Sequence, residues 1–262
     1  MTDSPSGAAD GKPSKARIRQ SFERAAAGYD SAAAVQRQIC AELAGGLPAI
    51  DPRRLLDAGC GTGHAQAALQ ARFPDAEAIV VDLSRAMLRR VSAPCCRLAG
   101  DLEHLPLADA SLDLYWSSLA VQWCNLAIAL GEARRTLRPG GCLALASLGP
   151  ATFGELRQAF AGVDNYRHTL GFHSLEEVGR IATAAGFSAL STDSRLITAH
   201  YPDFKTLLRA VKAIGANQLG DGRRTGLMSR GDFQRAEAAI ETLRQPAGLP
   251  LTYDVIYLYA SA

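Results

Sequence analysis

The chain has no apolar run near the ~20 residues that a membrane-spanning helix needs. Its first residues, MTDSPSGAADGKPSK, carry no hydrophobic segment after their charges, so no secretory leader is expected. Net charge is also scarce: 28 Lys and Arg against 26 Asp and Glu leave a formal +2, too little for a generally basic nucleic-acid coat. An acidic partner must therefore be met by a local patch. The six cysteines (Cys40, Cys60, Cys95, Cys96, Cys124, Cys142) form no C-x-x-C pair, which leaves no zinc or redox motif. They read as small buried apolar residues. The five histidines lack metal-ligand spacing, and there is no internal repeat or charge block. The expectation is a cytoplasmic protein that engages neither membrane nor nucleic acid and holds no metal. What is present is an ordinary globular composition, 48% hydrophobic and 21% charged.

Residues 1–13, rich in Ser, Gly, Ala, Asp and Pro, bury too little apolar surface to offset their ordering entropy and read as a disordered tail. From 14 to 262 a single domain is expected. Its first part, 14–44, places Ile18, Phe22, Val35, Ile39 and Leu43 at helical separations with a break at Gly28, which predicts two helices. The middle alternates short apolar runs with helical segments, the pattern of a parallel sheet covered on both faces. Strands are expected at 55–58, 78–81, 95–98, 112–116 and, after the turn Pro139-Gly140-Gly141, at 142–147; helices at 64–72, 85–91 and 126–137. Beyond Gly149 the pattern loosens. Two insertions (150–173 and 203–232) surround a helix at 175–185 and a strand at 188–200, a further helix spans 204–214, and TYDVIYLYA (252–260) reads as an aromatic, β-branched strand. The fold class is α/β, a doubly wound, mostly parallel sheet.

The chemistry-bearing signal is LLDAGCGTGH, residues 55–64. Gly59, Gly61 and Gly63 follow an apolar strand and open a helix, so backbone can approach a ligand where a Cβ would collide. The spacing departs from the dinucleotide fingerprint, and no Gly-Lys-Ser/Thr marks a phosphate loop. Asp57, two residues before the first glycine, suits an ammonium better than a pyrophosphate. Asp82 follows the second strand where a carboxylate accepts hydrogen bonds from ribose hydroxyls; its alternative is a place in the cap of the next helix, which Ser84 can fill instead. Asp101, after the third strand, can receive an adenine amino group or be a solvated turn residue. Together the three carboxylates line the edge of a parallel sheet where ligands bind.

This order of motifs resembles the class I S-adenosylmethionine-dependent methyltransferases over about residues 20–150. The resemblance implies a seven-stranded Rossmann-like sheet and S-adenosylmethionine as cofactor. It implies that Gly59, Cys60, Gly61 and Gly63 cradle the methionine and ribose portions, with Asp57 near the amino group. Asp82 with Leu83 would hold the ribose, Asp101 with Leu102 the adenine, and Ser117 would join them. The segments SFERAAAGYD, SSLAVQWC, KAIGANQLGDGR and PLTYDVIYLYA are similar, more narrowly, to the malonyl-[acyl-carrier protein] O-methyltransferases of biotin synthesis.

That narrower resemblance implies methyl transfer to the free carboxylate of a malonyl thioester on an acyl carrier protein. The nucleophile is already ionised at neutral pH, so alignment and exclusion of water matter more than a general base. It implies 14–44 as a helical lid, with Tyr29 closing over the site; the alternative is a surface tyrosine packed on the first helix. Gln36 or Gln38 approaches the methionine end or is solvated. Gln122 and Trp123 shape an acceptor pocket, with core packing the rival for Trp123, and His173 lies near the lid. Lys212, Arg223 and Arg224 offer a carrier-protein surface, joined by Arg134, Arg135 and Arg138, or are simply a solvated helix face and loop.

Overall fold

Leu55 to Ala58 is buried at every position, as a strand covered on both faces requires. It is the centre of β1 (Arg54–Ala58), joined by β2 (Glu77–Asp82), β3 (Cys96–Ala99), β4 (Leu112–Ser118), β5 (Leu137–Leu148), β6 (Ser188–Tyr201) and β7 (Leu249–Ser261). These strands come from a computed structural model that describes residues 13–214, 226 and 228–262. The expected tail, Pro13 apart, and Arg223 and Arg224 lie outside the described residues. The order across the sheet is β3-β2-β1-β4-β5-β7-β6. β1 to β5 are parallel and β7 is antiparallel to both its neighbours, so the expected doubly wound sheet ends in the antiparallel pairing of TYDVIYLYA.

Residues alternate sides along each strand, so the sheet has two apolar faces. On one face Leu55, Leu114, Trp116, Ala144 and Ala146 pack with α3 (Ala34–Gly45), α4 (Gln66–Arg72), α7 (Gly154–Phe160), α9 (Phe204–Ala213) and α10 (Arg230–Glu241). On the other, Leu56, Tyr115, Leu143 and Leu145 pack with α6 (Leu126–Thr136) and α8 (Leu175–Ala184). The short α5 (Arg85–Leu88) covers Val80 at the edge. Among the described residues no helix is long and apolar enough to cross a membrane.

Several expected elements change. The N-terminal part forms three helices, because the chain breaks at Ala33 as well as at Gly28: α1 (Lys15–Ala25), the single turn α2 (Tyr29–Ala32) and α3. The turn at Pro139 to Gly141 bulges out of β5 rather than preceding it, since Leu112 pairs with Leu137 while Leu114 pairs with Cys142. The helix expected through Val91 stops at Leu88. The sequence reading contains no helix at α10, although Ser229 caps it and Ala236 and Ile240 sit one turn apart in the core.

The path from β1 outward to β3 and back to β4 makes the β1/β4 junction a switch point. A crevice opens there beyond the strands' carboxyl ends.

Candidate active site

The crevice is built by the turn that leaves β1. Gly59 and Cys60 extend the β1/β2 ladder by donating to the Val81 carbonyl at 2.7 and 3.1 Å, which turns the chain sharply toward α4. Gly59 has φ +78°, and a Cβ there would overlap the Ala120 methyl, so the turn demands glycine. Nothing lies within 4 Å of the place where a Cβ of Gly61 would stand. Gly61 lines a cavity of about 890 Å³ with Gly59, Cys60, Asp57, Asp82, Leu83, Asp101 and Leu102. Gly63 does not line it, and packs against Val91 instead.

Two carboxylates face this cavity, Asp57 buried and Asp82 half-buried. Asp57, 2% exposed, accepts a 2.8 Å bond from Gln66 Nε2. Burial pushes its pKa up to about 7; the Asp82 charge adds to the rise, and the Gln66 bond opposes it. Asp82 accepts from the Gly61 N–H at 2.9 Å and the Ser84 N–H at 2.7 Å, yet burial still lifts it to about 6. Ser84, not Asp82, caps α5 through the Met87 N–H. Neither carboxylate has a cationic partner among the described residues. A cation entering the cavity is therefore met by carboxylates that burial has left short of charge stabilisation.

The third carboxylate is engaged differently. Asp101 receives the Lys15 ammonium at 2.8 Å and the Glu103 N–H at 3.1 Å, while Lys15 also reaches Glu103 at 2.6 Å and Cys124 at 3.5 Å. Asp101, Glu103 and Cys124 are grouped closely enough to hold a metal ion, but the Lys15 ammonium stands among them. Burial would lower its pKa, yet Cys124, Asp101 and Glu103 outweigh that and raise it to about 12. Lys15 thus pins the start of α1 to the far wall of the cavity. Sequence reasoning missed it, because a lysine on an amphipathic helix gives no local sign of a partner 86 residues away.

Tyr29 closes the near side. Its half-buried ring stacks on His64 at 6.0 Å and meets Phe22 at 6.5 Å, and Phe22 in turn meets Trp123 edge-on at 5.6 Å. Burial, with the charges of Asp82 and Asp30, raises the phenol well above its ordinary range. Next door, Asp30 accepts from Thr62 at 2.6 Å and its carbonyl from Arg37, which fastens α2 to the glycine turn.

Tyr29, Phe22, Gln36, Leu119 and Trp123 also wall a second cavity of about 520 Å³, completed by Gln122, Phe172, Ile214, Tyr253 and neighbours. Its lining is mostly apolar. The side-chain oxygens of Gln36 and Gln122 are buried there without a hydrogen-bond donor, whereas Gln38 is exposed and bonds to Glu42. Leu119 (φ 55°) and Phe153 (φ 59°) hold left-handed backbone conformations that disfavour side chains, and both line this cavity. The Gln122 amide holds Leu119 by donating to its carbonyl at 2.7 Å. No sequence signal marks either strained residue.

Other expected site residues fall elsewhere. Ser117 is buried and donates to the Ala58 carbonyl at 2.7 Å, tying β4 to β1, so its neighbour Ser118 faces the first cavity instead. His173 lines neither cavity and lies 3.7 Å from Glu177 in the first turn of α8. Arg134 and Arg135 of α6, and Arg138, which lies in β5 and not on the helix, are engaged within the fold. Arg134 donates to the Gly186 carbonyl, Arg135 to Glu132 and Asp109, and Arg138 pairs with Asp113. Lys212 lines a separate cleft between the N-terminal helices and α9.

Comparison with known proteins agrees with this architecture. Residues 56–145 match a family model described as a methyltransferase domain. The fold is that of the YcgJ protein of Bacillus subtilis (TM-score 0.60, 16% identity, 86% of this chain and 97% of that one). It is likewise that of Haemonchus contortus phosphoethanolamine N-methyltransferase 2, solved with S-adenosyl-L-methionine (TM-score 0.55, 16% identity, 93% of this chain and 59% of that one). Over its full length the chain is similar to malonyl-[acyl-carrier protein] O-methyltransferase of Dechloromonas aromatica, 71% identical over 99% of both proteins. The protein of that name from Laribacter hongkongensis is 44% identical over 94% of this chain and 89% of its own. With this degree of identity over 99% of its length, the chain belongs to the malonyl-[acyl-carrier protein] O-methyltransferase family of class I methyltransferases.

Proposed function

We propose that this protein transfers the methyl group of S-adenosylmethionine to the free carboxylate of a malonyl thioester carried on an acyl carrier protein. The first cavity fits the cofactor's chemistry: two carboxylates with no cationic partner among the described residues, an open backbone approach at Gly61, and an unsatisfied acceptor on Gln36. Asp57 and the Gln36 oxygen would take the ammonium. Asp82 retains lone pairs for ribose hydroxyls beside its two backbone bonds, with Leu83 against the ribose, and the Asp101 oxygen not held by Lys15 would accept the adenine amino group beside Leu102. When bound, the cofactor supplies a sulfonium-borne methyl that an oxygen nucleophile takes directly.

The remaining work falls to the second cavity. A malonyl carboxylate is ionised at neutral pH and needs no base. Tyr29, its phenol held protonated, can donate to that carboxylate at the junction of the two cavities and cannot take a proton from it. The aromatic walls exclude water, which strengthens the attraction between carboxylate and sulfonium. The observation that carries the acceptor is that similarity to relatives of this name continues through the lid and the C-terminal segments walling the second cavity, far beyond the matched domain at 56–145.

The test is mass spectrometry of malonyl-acyl carrier protein and of free malonate, each incubated with the protein and S-adenosylmethionine. A 14 Da gain on the carrier-bound thioester, with little on free malonate, is expected from adding one CH₂ equivalent, roughly as the mass of a methyl replacing a proton. Equal rates on both acceptors would refute a carrier-protein enzyme.

A further inference from the structure

The cleft that contains Lys212 lies between the end of α1 and α9, on the outer side of the walls that enclose the second cavity. Ser21, Arg24, Ala25, Gly28, Arg209, Lys212 and Ala213 line it, and it encloses about 790 Å³ including its open mouth. Among the described residues three cations and a hydroxyl face the space, and no carboxylate does. Among the described residues none of the three cations makes a close ion pair or hydrogen bond, although the Arg209 charge acts on Asp203 at the start of α9; Arg134, Arg135 and Arg138 are by contrast engaged within the fold. A cationic trio around a concave space favours an anion, and guanidinium groups favour one with several oxygens.

The cleft and the second cavity share their walls. Along the lid, Phe22 and Tyr29 face the cavity while Ser21, Arg24 and Gly28 face the cleft; at the end of α9, Ile214 faces the cavity while Arg209 and Lys212 face the cleft. At Gly28, which lines the cleft next to Tyr29 of the cavity, nothing lies within 4 Å of where a Cβ would stand. A ligand with its reactive end in the cavity and one anionic group some way behind it can occupy both. Resting on the acceptor proposed above, we infer that Arg24, Arg209 and Lys212 bind the phosphodiester that joins a pantetheine arm to its carrier protein. The cleft is thus an anchoring site for the arm, separate from the residues that surround the methyl group. The two free oxygens of one phosphodiester can accept from all three cations, and among the described residues the cleft presents no aromatic side chain on which a nucleic-acid base would stack.

The experiment compares kcat/KM for malonyl-pantetheine, malonyl-phosphopantetheine, malonyl-coenzyme A and malonyl-acyl carrier protein. In the wild type, the phosphate is expected to raise kcat/KM about tenfold or more, the size of one charge-assisted contact. In Arg209→Ala/Lys212→Ala the ratio of phosphorylated to unphosphorylated arm should fall to within about twofold, and Lys212→Arg should restore most of it. Retained S-adenosylhomocysteine affinity shows that the variants are folded. A wild-type ratio near one, with both thioesters turned over, overturns the cleft and leaves the proposed function standing. So does a ratio that survives the double substitution. Higher kcat/KM for malonyl-coenzyme A than for the carrier protein overturns the carrier as the source of the phosphate. No methylation of any thioester would instead refute the proposed acceptor, and this inference with it.

Discussion

The two carboxylates of the first cavity make cofactor binding depend on pH in a direction that the structure dictates. Asp57 is pushed up to about 7 and Asp82 to about 6 because burial disfavours their charged forms. The form that attracts an ammonium is the ionised one. With a pKa of about 7, Asp57 is roughly one-tenth ionised at pH 6 and nine-tenths at pH 8, so affinity should rise about ninefold over that interval. Isothermal titration with S-adenosylhomocysteine at pH 6, 7 and 8, in buffers of different ionisation heat, reads both the affinity and the proton released. Asp57→Asn keeps an acceptor for Gln66 but removes the charge. It should weaken binding at pH 8 by about tenfold to a hundredfold, from ~1.5–3 kcal/mol for a charge-assisted bond, and flatten the profile. The ligand's own groups titrate alike in both proteins, so the difference between them isolates Asp57. Stability of the unliganded protein runs the other way. Both folded pKa values lie above the unfolded carboxylate value of 3.8, so the folded state binds more protons between about pH 4 and 7 and loses stability as pH rises through that window. Wild-type affinity that does not change from pH 6 to 8, or an Asn variant that keeps the wild-type slope, would refute the reasoning.

Three further outcomes follow from the geometry. Tyr29→Phe removes a protonated phenol from the junction of the cavities while keeping its packing on Phe22 and His64; kcat should fall about tenfold with the thermal midpoint nearly unchanged, and wild-type kcat would make Tyr29 a packing residue only. Lys15→Ala releases the start of α1 from Asp101 and Glu103; the partly exposed ion pairs are worth ~0.5–1 kcal/mol, so KM for S-adenosylmethionine should rise about two- to fivefold and limited proteolysis within α1 should quicken. Gly59→Ala must accommodate a methyl against Ala120 at φ +78°, and should lower the thermal midpoint by several degrees, corresponding to ~1–3 kcal/mol, and abolish cofactor binding; an unperturbed midpoint would contradict the turn geometry.

Much of this protein is legible in its residues because the signals are local. Continuous apolar runs separated by helical periodicity specify a parallel sheet, since a strand covered on both faces has no polar side. LLDAGCGTGH marks the turn after β1, since a sharp strand-to-helix connection needs positive φ, which glycine supplies without strain. Acidic residues after successive parallel strands share one edge by the geometry of the sheet alone, which brings Asp57, Asp82 and Asp101 to one cavity. The local signal for α10 was also present, in its Ser229 cap and the spacing of Ala236 and Ile240.

Tertiary structure decided what depends on which side of an element faces inward and on partners far apart in the chain. Ser117 and Ser118 are adjacent, and the alternation of β4 sends one to the Ala58 carbonyl and the other to the cavity. Gln36 and Gln38 share a helix, but only the first reaches both cavities. His173 sits just before α8, and Arg134, Arg135 and Arg138 are held by the fold's own carboxylates and carbonyls. The Lys15 bridge, the strained Leu119 and Phe153, and the cationic cleft between α1 and α9 arise only when distant segments pack together. No spacing in the sequence encodes such packing, because each of these features depends on a distance between segments and not on their separation along the chain.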